Sequence, residues 1–342
     1  MVNILIRCDL RPGIGLGHFY RSFRIAKHIQ KLGVSSTFLI DEEDPFVVKL
    51  LKEHGFLFLI KNGDEAKVLE DLFHQIQFRG ILIDHYELGL DYEISLPKEL
   101  KVFVIDDLAR SHQCDLLIDH NQYVDHVNRY VGKVNKSCIV LSGAKYALLD
   151  PVFLDTPSLP KSGNEGKHVL VSYGGEDPTG ETLKFSQALV RFFKGLKPRD
   201  FSCTIICGPL NKKYNEIKYL FRENNLVEVI SHVSNINEYM LKSDLAFGAG
   251  GGMIWERGCL GLKTVLTSIA SNQTRICEDL GKQGFCYYLG QSSDLSVHDY
   301  EKVLYDFSNN QLKIDAESLV SIVDGMGVKR VGECIQKILT LD

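Results

Sequence analysis

Val2-Asn-Ile-Leu-Ile6 leads through Asp9-Leu-Arg-Pro-Gly-Ile-Gly-Leu-Gly-His18 into a segment with a helical repeat, His18 to Leu32. The short apolar run is typical of a buried strand. The later segment places its apolar side chains on one face of a helix: Phe19, Phe23, Ala26 and Ile29. A strand, a glycine-rich loop and a helix in this order begin a βαβ unit. The stretch therefore predicts an α/β fold built on a parallel sheet.

The same alternation of apolar runs and amphipathic segments continues through both halves of the chain. In the first half, further strands are predicted at Ser36–Leu39, Gly80–Ile83, Val102–Ile105 and Leu116–Ile118. In the second half, they are predicted at His168–Ser172, Ser202–Cys207, Val227–Ile230, Leu245–Phe247, Thr264–Leu266 and Phe285–Tyr288. Ligands of open α/β sheets bind outside the carboxyl ends of the strands. We therefore predict two doubly wound, Rossmann-like domains that face each other across a ligand-binding cleft.

The domain boundaries follow from a change in composition. Residues 155–167 are rich in Pro, Gly and Ser and have no periodicity, which predicts an exposed linker. The chain of 342 residues also exceeds the roughly 250–300 residues at which a single core stops growing. We predict one domain over 1–154 and a second over 168–312. The last segment, 313–342, has a helical pattern and is expected to pack across the surface.

Composition and charge exclude several classes of protein. The net charge is -5, which argues against a broad nucleic-acid surface. No run approaches the roughly 20 apolar residues that span a bilayer, and no signal peptide is recognisable. We expect a soluble cytoplasmic protein without stable membrane insertion, as a monomer or weak dimer. Its 9 cysteines include no C-x-x-C pair, so neither a zinc cage nor a disulfide framework is predicted, and Cys203 and Cys207 are expected to be buried thiols.

The first loop carries three alternating glycines and then a histidine. Its spacing is not G-x-G-x-x-G, because the third glycine comes one residue early, so a dinucleotide site is only weakly indicated. His18 follows the last glycine, where an imidazole could take a proton near neutral pH. A surface or helix-capping histidine is the alternative, and the spacing does not decide between them.

Polar residues also follow two later strands of the first half. In Ile83-Asp84-His85-Tyr86, Asp84 and His85 could orient one another, and Tyr86 could donate a hydrogen bond to a sugar or phosphate. Simple capping of the next helix is the alternative. The pair Asp106-Asp107, with His112 and Asp115 nearby, hints at a metal site. We prefer helix capping and loop hydrogen bonds there, because divalent cations usually need more convergent oxygen ligands, and we predict no metal.

Three loops of the second half suit a nucleotide-activated sugar. The glycine pair Gly174-Gly175 forms a compact turn that could lie near a diphosphate, although a turn without a ligand is equally compatible. Main-chain N–H groups of the run Gly248-Ala-Gly-Gly-Gly252 suit a pyrophosphate, and Glu256 could accept hydrogen bonds from ribose hydroxyls. In Ser271-Asn-Gln-Thr274, the two amides could bind hydroxyl or acetamido groups. Together these loops predict that the second domain binds the nucleotide.

These segments, in this order, resemble the hydrolase of pseudaminic acid biosynthesis, which removes UDP from UDP-2,4-diacetamido-2,4,6-trideoxy-β-L-altropyranose. The resemblance covers residues 1 to about 290, with a further match at Val323-Asp-Gly-Met-Gly327. The matching segments are Gly13–His18 with Arg21, Ile83–Tyr86, Val104–Leu108, His112–Asp115, Tyr146–Leu149, Tyr173–Asp177, Gly248–Gly251, Trp255–Arg257 and Asn272-Gln273. The family is similar in fold to GT-B glycosyltransferases, especially the one that builds lipid II.

The resemblance implies roles for particular residues. His18 would be the catalytic base and Tyr86 would lie near the sugar, while Glu256 and the 248–252 loop would hold the nucleotide. Asn272 and Gln273 would face the sugar and the diphosphate. With the loop residues around them, the candidate substrate-binding set is Asp9, Gly15, Gly17, Arg21, Asp84, Gly174, Gly175, Gly250, Gly251, Met253, Glu256, Asn272 and Gln273. No cofactor is predicted.

The predicted reaction is metal-independent hydrolysis with inversion at the anomeric carbon, in which His18 deprotonates the attacking water. A glycosyltransferase that uses a UDP-sugar donor is the main alternative. Its lipid II-forming members often show an apolar, basic membrane-facing patch, and residues 45–60 are apolar enough to raise that question, although core packing explains the run better. A sugar-nucleotide sensor without catalysis is the third possibility.

Overall fold

The structure, a computed structural model, describes residues 2–11, 16–154, 166–195, 200–233 and 235–341. It divides into two compact units, one formed by Met1–Asp150 with Gly325–Asp342 and the other by Pro151–Asp324. Most of the predicted linker 155–167 lies outside the described residues, as do Gly13 and Gly15 of the first loop.

The first unit contains a parallel sheet of seven strands. They are β1 (Val2–Cys8), β2 (Val34–Ile40), β3 (Leu57–Ile60), β4 (Gly80–Asp84), β5 (Lys101–Ile105), β6 (Leu116–Asp119) and β7 (Ile139–Ser142). The helices of this part are α1 (Gly17–Lys31), α2 (Pro45–Glu53), α3 (Glu65–Gln75) and α4 (Leu90–Ser95). The strand order β3-β2-β1-β4-β5-β6-β7 reverses direction between β1 and β4, which is the switch point where ligands of doubly wound sheets bind.

The second unit repeats this design with a parallel sheet of six strands. They are β8 (Lys167–Ser172), β9 (Phe201–Ile206), β10 (Val227–Ile230), β11 (Leu245–Ala249), β12 (Thr264–Ser268) and β13 (Tyr287–Gln291). Its helices are α5 (Glu181–Gly195), α6 (Tyr214–Leu220), α7 (Ile236–Lys242), α8 (Met253–Cys259), α9 (Ser271–Lys282), α10 (Val297–Ser308) and α11 (Ala316–Val320). The order β10-β9-β8-β11-β12-β13 places the switch point between β8 and β11. The predicted α/β class with two doubly wound sheets is confirmed.

The chain ends in α12 (Gly327–Thr340), which belongs to the first unit. Its apolar face packs against α1 and the sheet, and it contributes Val328, Val331, Ile335, Ile338 and Leu339 to the core that contains Ile4 and Ile29. The segment predicted as one piece, 313–342, is thus divided, with α11 in the second unit and α12 in the first.

Residues 45–60 form two elements instead of one apolar run. Asp44 begins α2 by accepting hydrogen bonds from the main-chain N–H groups of Phe46 and Val47, and Pro45 occupies the first helical position. The run buries Val47, Val48, Leu51 and Phe56, whereas Phe46, Leu57 and Leu59 are exposed. Core packing therefore explains about half of the apolar side chains. Across the described part of the chain, no helix has both the length and the apolarity to cross a membrane.

Candidate active site

The carboxyl ends of β1, β4, β5 and β6 bring polar side chains together in the first unit. Asp9 follows β1, Asp84 ends β4, Asp107 follows β5 and His120 follows β6. The loops after β1 and β4 are joined directly, because the main-chain N–H of Asp9 donates to the carbonyl oxygen of Asp84 at 2.8 Å. This edge is also where α1 begins, so the side chains of its first turns reach the same place.

His18 is held by Asp84. The distance from His18 Nδ1 to Asp84 Oδ1 is 2.5 Å, and both side chains are buried. Arg21, three residues further along α1, contacts the same carboxylate, with Nε donating to Oδ2 and Nη2 to Oδ1, both at 2.5 Å. Residues three apart lie on one helical face, which lets both side chains reach a single carboxylate.

The charge state of this cluster follows from these contacts. Burial disfavours the carboxylate of Asp84, but the charges and hydrogen bonds of Arg21 and His18 outweigh burial and hold the pKa of Asp84 below its ordinary value. An ionised carboxylate is an acceptor only, and its contact with His18 Nδ1 is shorter than the 3.1 Å from Arg21 Nη2 to that nitrogen. We therefore assign the proton to Nδ1, which leaves Nε2 of His18 as the basic nitrogen.

Tyr86 lies beside His18. The two rings meet edge to face, with centroids 4.5 Å apart and planes at 87°. The hydroxyl of Tyr86 donates to Asp107 Oδ2 at 3.3 Å, and Arg21 Nη1 lies 3.3 Å from the same oxygen. The structure thus brings together the four predicted residues His18, Arg21, Asp84 and Tyr86, and adds Asp107.

The expected pairing of Asp84 with His85 is wrong. Successive residues at the end of a strand point to opposite faces of the sheet. Asp84 therefore faces α1, while His85 lies on the other side, with Nδ1 3.8 Å from Asp9 Oδ2 and Nε2 3.6 Å from Asp41 Oδ2.

Asp9 takes part in a network of arginines and carboxylates. Arg11 donates to it from Nε at 2.8 Å and from Nη2 at 2.7 Å, and the main-chain N–H of Tyr86 lies 3.4 Å from Asp9 Oδ2. Asp9, Asp41 and His85 each have one potential ligand atom, and these three atoms lie close enough together to ligate a metal. However, Asp41 already accepts hydrogen bonds from both terminal nitrogens of Arg7, at 3.1 and 2.6 Å. Both carboxylate oxygens of Asp9 accept hydrogen bonds from Arg11. Asp9 and Asp41 therefore form ion pairs with arginines, and Asp9 also links the loops after β1 and β4.

The second acidic group, around Asp106, is also used in loop contacts. Asp106 accepts from Arg110 and from the hydroxyl of Tyr130, and Asp115 accepts from the main-chain N–H of Val102 at 2.8 Å. His112 contacts Glu93 Oε1 through Nδ1 at 2.6 Å, and its Nε2 lies 3.6 Å from Asp106 Oδ2. Of the two uses preferred from the sequence, the structure shows loop hydrogen bonds; no helix lies between β5 and β6, a stretch that the structure describes in full, for these carboxylates to cap.

His120 is not among the residues predicted from the sequence, although the sequence contains a signal for it. Ile118-Asp119-His120 repeats the pattern of Ile83-Asp84-His85 and Ile105-Asp106-Asp107, so three neighbouring strands end in the same way. His120 is buried, and burial together with the charge of Arg21 lowers its pKa to about 4. The imidazole is therefore neutral at neutral pH and does not compete with Arg21 for Asp84.

In the second unit, the predicted loops lie at three adjacent strand ends. Gly174-Gly175 follows β8, the glycine run spans the end of β11 and the loop after it, and Asn272-Gln273 follows β12; these strands are neighbours in the sheet. The side chain of Gln273 lies beside the glycine run, since a Cβ at Gly250 would be 3.1 Å from Gln273 Cβ, and it accepts a hydrogen bond from the main-chain N–H of Ile269 at 3.1 Å. Met253 begins α8, Glu256 is buried one turn later, and Asn272 is exposed at the start of α9. Gln273 is thus brought to Gly250 and Gly251.

Packing accounts for two glycines of the run. A Cβ at Gly248 would meet the guanidinium of Arg257 and lie 2.7 Å from the carbonyl oxygen of Ser172. A Cβ at Gly250 would meet the thiol of Cys277. Arg257 is itself buried beneath the loop and donates to the carbonyl oxygen of Ala249 at 3.1 Å. These two positions are glycine because the protein leaves no room for a side chain.

No such reason exists for other glycines at these strand ends. Among the residues that the structure describes, a Cβ at Gly175 or Gly252 would meet no atom within 4 Å, and one at Gly251 would meet only Gln273 Nε2 at 3.8 Å. None of the three has a positive φ, whereas Gly174 has φ +89°. Gly17, at the start of α1, is equally open. Glycine without a conformational or packing reason is typical of places where main chain approaches a ligand.

Comparison with known proteins gives distant relatives along most of the chain; no family model matches it. An uncharacterized protein of Methanocaldococcus jannaschii is 26% identical over 277 residues, 78% of the chain, which spans about half (55%) of that relative's length. The UDP-2,4-diacetamido-2,4,6-trideoxy-beta-L-altropyranose hydrolase of Campylobacter jejuni is 24% identical over 287 residues, 83% of the chain and 98% of that protein. The spore coat polysaccharide biosynthesis protein SpsG of Bacillus subtilis is 22% identical over 336 residues, 94% of each. The predicted resemblance to the hydrolase is confirmed.

Solved structures agree on the fold. MurG of Acinetobacter baumannii superimposes with a TM-score of 0.69 at 12% identity, over 98% of the chain and 100% of MurG. The UDP-GlcNAc 2-epimerase of Neisseria meningitidis, bound to UDP-GlcNAc, gives a TM-score of 0.62 at 14% identity, over 98% of the chain and 100% of the epimerase. The predicted GT-B-like fold is thereby confirmed.

Proposed function

We propose that the chain is a UDP-sugar hydrolase that releases UDP from UDP-2,4-diacetamido-2,4,6-trideoxy-β-L-altropyranose or a close analogue. Water attacks the anomeric carbon and inverts it. The observation that carries the proposal is the buried pair of His18 and Asp84, with 2.5 Å between Nδ1 and Oδ1. The similarity to the Campylobacter jejuni hydrolase, which extends over 98% of that protein, supports the substrate class.

His18 is the proposed base. Asp84 orients the ring through Nδ1, so that Nε2 accepts a proton from the attacking water. The carboxylate also stabilises the imidazolium that forms, as in other pairs of histidine and carboxylate. Tyr86 keeps its ring against His18, and we assign its hydroxyl, which shares Asp107 with Arg21, to the sugar side of the site.

The nucleotide is assigned to the second unit. The open positions Gly175, Gly251 and Gly252 support this assignment, because main-chain N–H groups there can approach a diphosphate without a side chain in the way. Hydrogen bonds to the departing diphosphate stabilise its growing negative charge, so no strong general acid is required. Glu256 is assigned to the ribose hydroxyls, and Asn272 and Gln273 to the diphosphate and sugar.

The test is incubation of the purified protein with single UDP-sugars in the absence of any acceptor. We expect release of UDP, and NMR should show the bond broken and the anomer formed. His18→Asn should lower kcat by roughly 10²–10⁴-fold and leave the affinity for UDP nearly unchanged, because the variant loses only the proton acceptor. His74→Asn, at an exposed position of α3, is the matched control and should retain full turnover.

Two results would contradict hydrolysis. Release of UDP only after an acceptor alcohol is added would identify a glycosyltransferase, the alternative that shares this fold. Tight binding across the donor panel without turnover would identify a sensor. Full turnover of His18→Asn would remove His18 from the role of base even if UDP is released.

A further inference from the structure

Arg110, in the loop between β5 and β6, holds the loop that carries Tyr86. Its Nη1 donates to the carbonyl oxygens of Tyr86 at 2.7 Å and Leu88 at 3.2 Å, and its Nη2 donates to that of His85 at 3.2 Å. One guanidinium therefore contacts three main-chain carbonyls within four residues. Its remaining nitrogen, Nε, donates to Asp106 Oδ1 at 2.7 Å.

This arrangement requires an arginine. The guanidinium is a rigid plane with five N–H donors, and here one edge contacts a carboxylate while the terminal nitrogens contact carbonyls. A lysine ammonium is a single point on a flexible stem and cannot span the three carbonyls and the carboxylate together. The backbone is also shaped for this contact, because Ala109 has φ 57°, a conformation that residues other than glycine seldom adopt, and Lys133 Nζ holds the carbonyl of Ala109 at 2.8 Å.

Asp106, which accepts from Nε of Arg110, is itself held by further hydrogen bonds. Asp106 also accepts from the main-chain N–H of Arg110 at 3.0 Å and from the hydroxyl of Tyr130 at 3.0 Å. His112 lies on the far side of Asp106 and is itself paired with Glu93. The side chains of Glu93, His112 and Asp106 are completely buried, so charges alternate along a fixed row that ends at Arg110.

We propose that Arg110 is a positioning residue, which fixes the backbone of residues 85–88 so that the ring of Tyr86 stays against His18 and its hydroxyl against Asp107. This inference rests on the proposed function for its catalytic consequence, since the position of Tyr86 affects turnover only if His18 acts on the substrate. The guanidinium of Arg110 contacts Asp106 and the carbonyls of residues 85, 86 and 88, and it acts on the site through Tyr86.

A double-mutant cycle on turnover tests the catalytic consequence. Arg110→Lys should lower kcat roughly 10–100-fold with KM changed less than about threefold, because a displaced site group costs rate more than binding. In a Tyr86→Ala background, Arg110→Lys should have less than about a twofold further effect, since its target is gone. Equal losses in both backgrounds would overturn the proposal. Arg330→Lys, which alters an arginine that donates to the carbonyl of Lys145 away from the site, is the matched control and should leave kcat unchanged in both.

A second measurement does not depend on activity. In protein with ¹³C-labelled tyrosine, the Tyr86 ring resonance, assigned from Tyr86→Phe, should shift or broaden in Arg110→Lys, while the resonances of tyrosines in the second unit stay in place. An unmoved Tyr86 resonance would overturn the proposal whatever the kinetics. If the wild type releases no UDP but the resonance moves, the proposed function fails and the positioning role stands. Arg110→Gln, which keeps neutral donors, replaces Arg110→Lys if the lysine variant does not fold.

Discussion

Asp84 holds the candidate site together, because three side chains of α1 contact its carboxylate. His18 and Arg21 both contact it at 2.5 Å, and the hydroxyl of Ser22 lies 3.3 Å from Oδ2. The side chain of Asp84 is completely buried, so its charge is balanced by Arg21 and not by water. The carboxylate therefore has two duties, the orientation of His18 and the neutralisation of a nearly buried arginine.

The substitution Asp84→Asn tests whether the charge of this side chain, and not only its size, is needed. The amide has the same size but cannot hold the proton on His18 Nδ1 by charge, so we expect kcat to fall roughly 10²–10⁴-fold with little change in UDP affinity. Removal of one partner from a buried ion pair also costs about 3–5 kcal/mol of stability. Turnover, calorimetric UDP titration and thermal unfolding measure the three effects. Asp115→Asn is the control, because this carboxylate accepts from a main-chain N–H outside the site, and a comparable loss of kcat there would contradict the assignment.

His112 gives the stability a dependence on pH. Burial lowers its pKa, but hydrogen bonds and charges from Asp106 and Glu93 outweigh burial and raise the pKa from 6.5 to about 9. A raised pKa in the folded state stabilises the protein fully below pH 6.5, and this contribution is lost as the pH rises through about 9. The loss corresponds to about 3 kcal/mol. Urea unfolding from pH 6.5 to 9.5 should show it, and His112→Gln should flatten the curve; parallel curves for both proteins would contradict the protonated state.

At the scale of single residues, the sequence predicted correctly which side chains lie near one another. It predicted less well which of them form hydrogen bonds or ion pairs. His18, Arg21, Asp84 and Tyr86 do lie together, because loops at the carboxyl ends of adjacent parallel strands must. The pairing of Asp84 with its neighbour His85 was wrong, since the pleat of the strand sends them to opposite faces. Which distant residue then meets Asp84 depends on the placement of α1 on the sheet, and periodicity does not encode that placement.

At the scale of elements, the glycine loops divide by the reason for each glycine. Gly248 and Gly250 are glycine because Arg257 and Cys277 occupy the space, which makes them structural. Gly175 and Gly252 have free space and ordinary φ values, and these are the positions that the proposed nucleotide site would explain. The sequence, which shows only a glycine run, could not make this distinction. It also missed the edge strands β3 and β7, whose residues are exposed or only partly buried although both contain short apolar runs.

Alanine at the two classes of glycine should have opposite effects. Gly252 has φ -54° and ψ -26°, which alanine adopts readily, so Gly252→Ala should leave the unfolding temperature unchanged or raise stability by up to about 1 kcal/mol. It should nevertheless weaken UDP binding at least about tenfold, or 1.4 kcal/mol, because the methyl group occupies the ligand's space. Gly248→Ala is the comparison and should destabilise the fold. Scanning calorimetry measures the unfolding temperature, and titration calorimetry measures the affinity for UDP. An unchanged affinity for UDP in Gly252→Ala would contradict the assignment of the 250–252 loop to the nucleotide site.

At the scale of the whole molecule, the order of the chain and the order of the cores differ. The first unit uses residues from both ends of the chain, because α12 returns to pack beside α1. The amphipathic pattern of 313–342 predicted helices, and two helices with an apolar face are present. An amphipathic pattern predicts that the apolar face of the helix is buried, but it does not predict which of the two units buries that face. In the structure, α12 is buried in the first unit, where its apolar residues join the core and Gly332 lies close to His28 and Ile29.

The division into two units predicts which part of the protein is destabilised by a substitution in each core. Ile335 of α12 is fully buried in the core of the first unit, and Ile217 of α6 is fully buried in that of the second. Each substitution by alanine should cost about 2–5 kcal/mol. Hydrogen exchange followed by mass spectrometry should then show faster exchange in β1, β4 and β5 for Ile335→Ala, although residue 335 lies after every residue of the second unit in the chain. Ile217→Ala should accelerate exchange in β8 and β9 and leave β1 protected. Faster exchange of β8 in Ile335→Ala, with β1 unaffected, would mean that α12 stabilises the other core and that its assignment to the first unit is wrong.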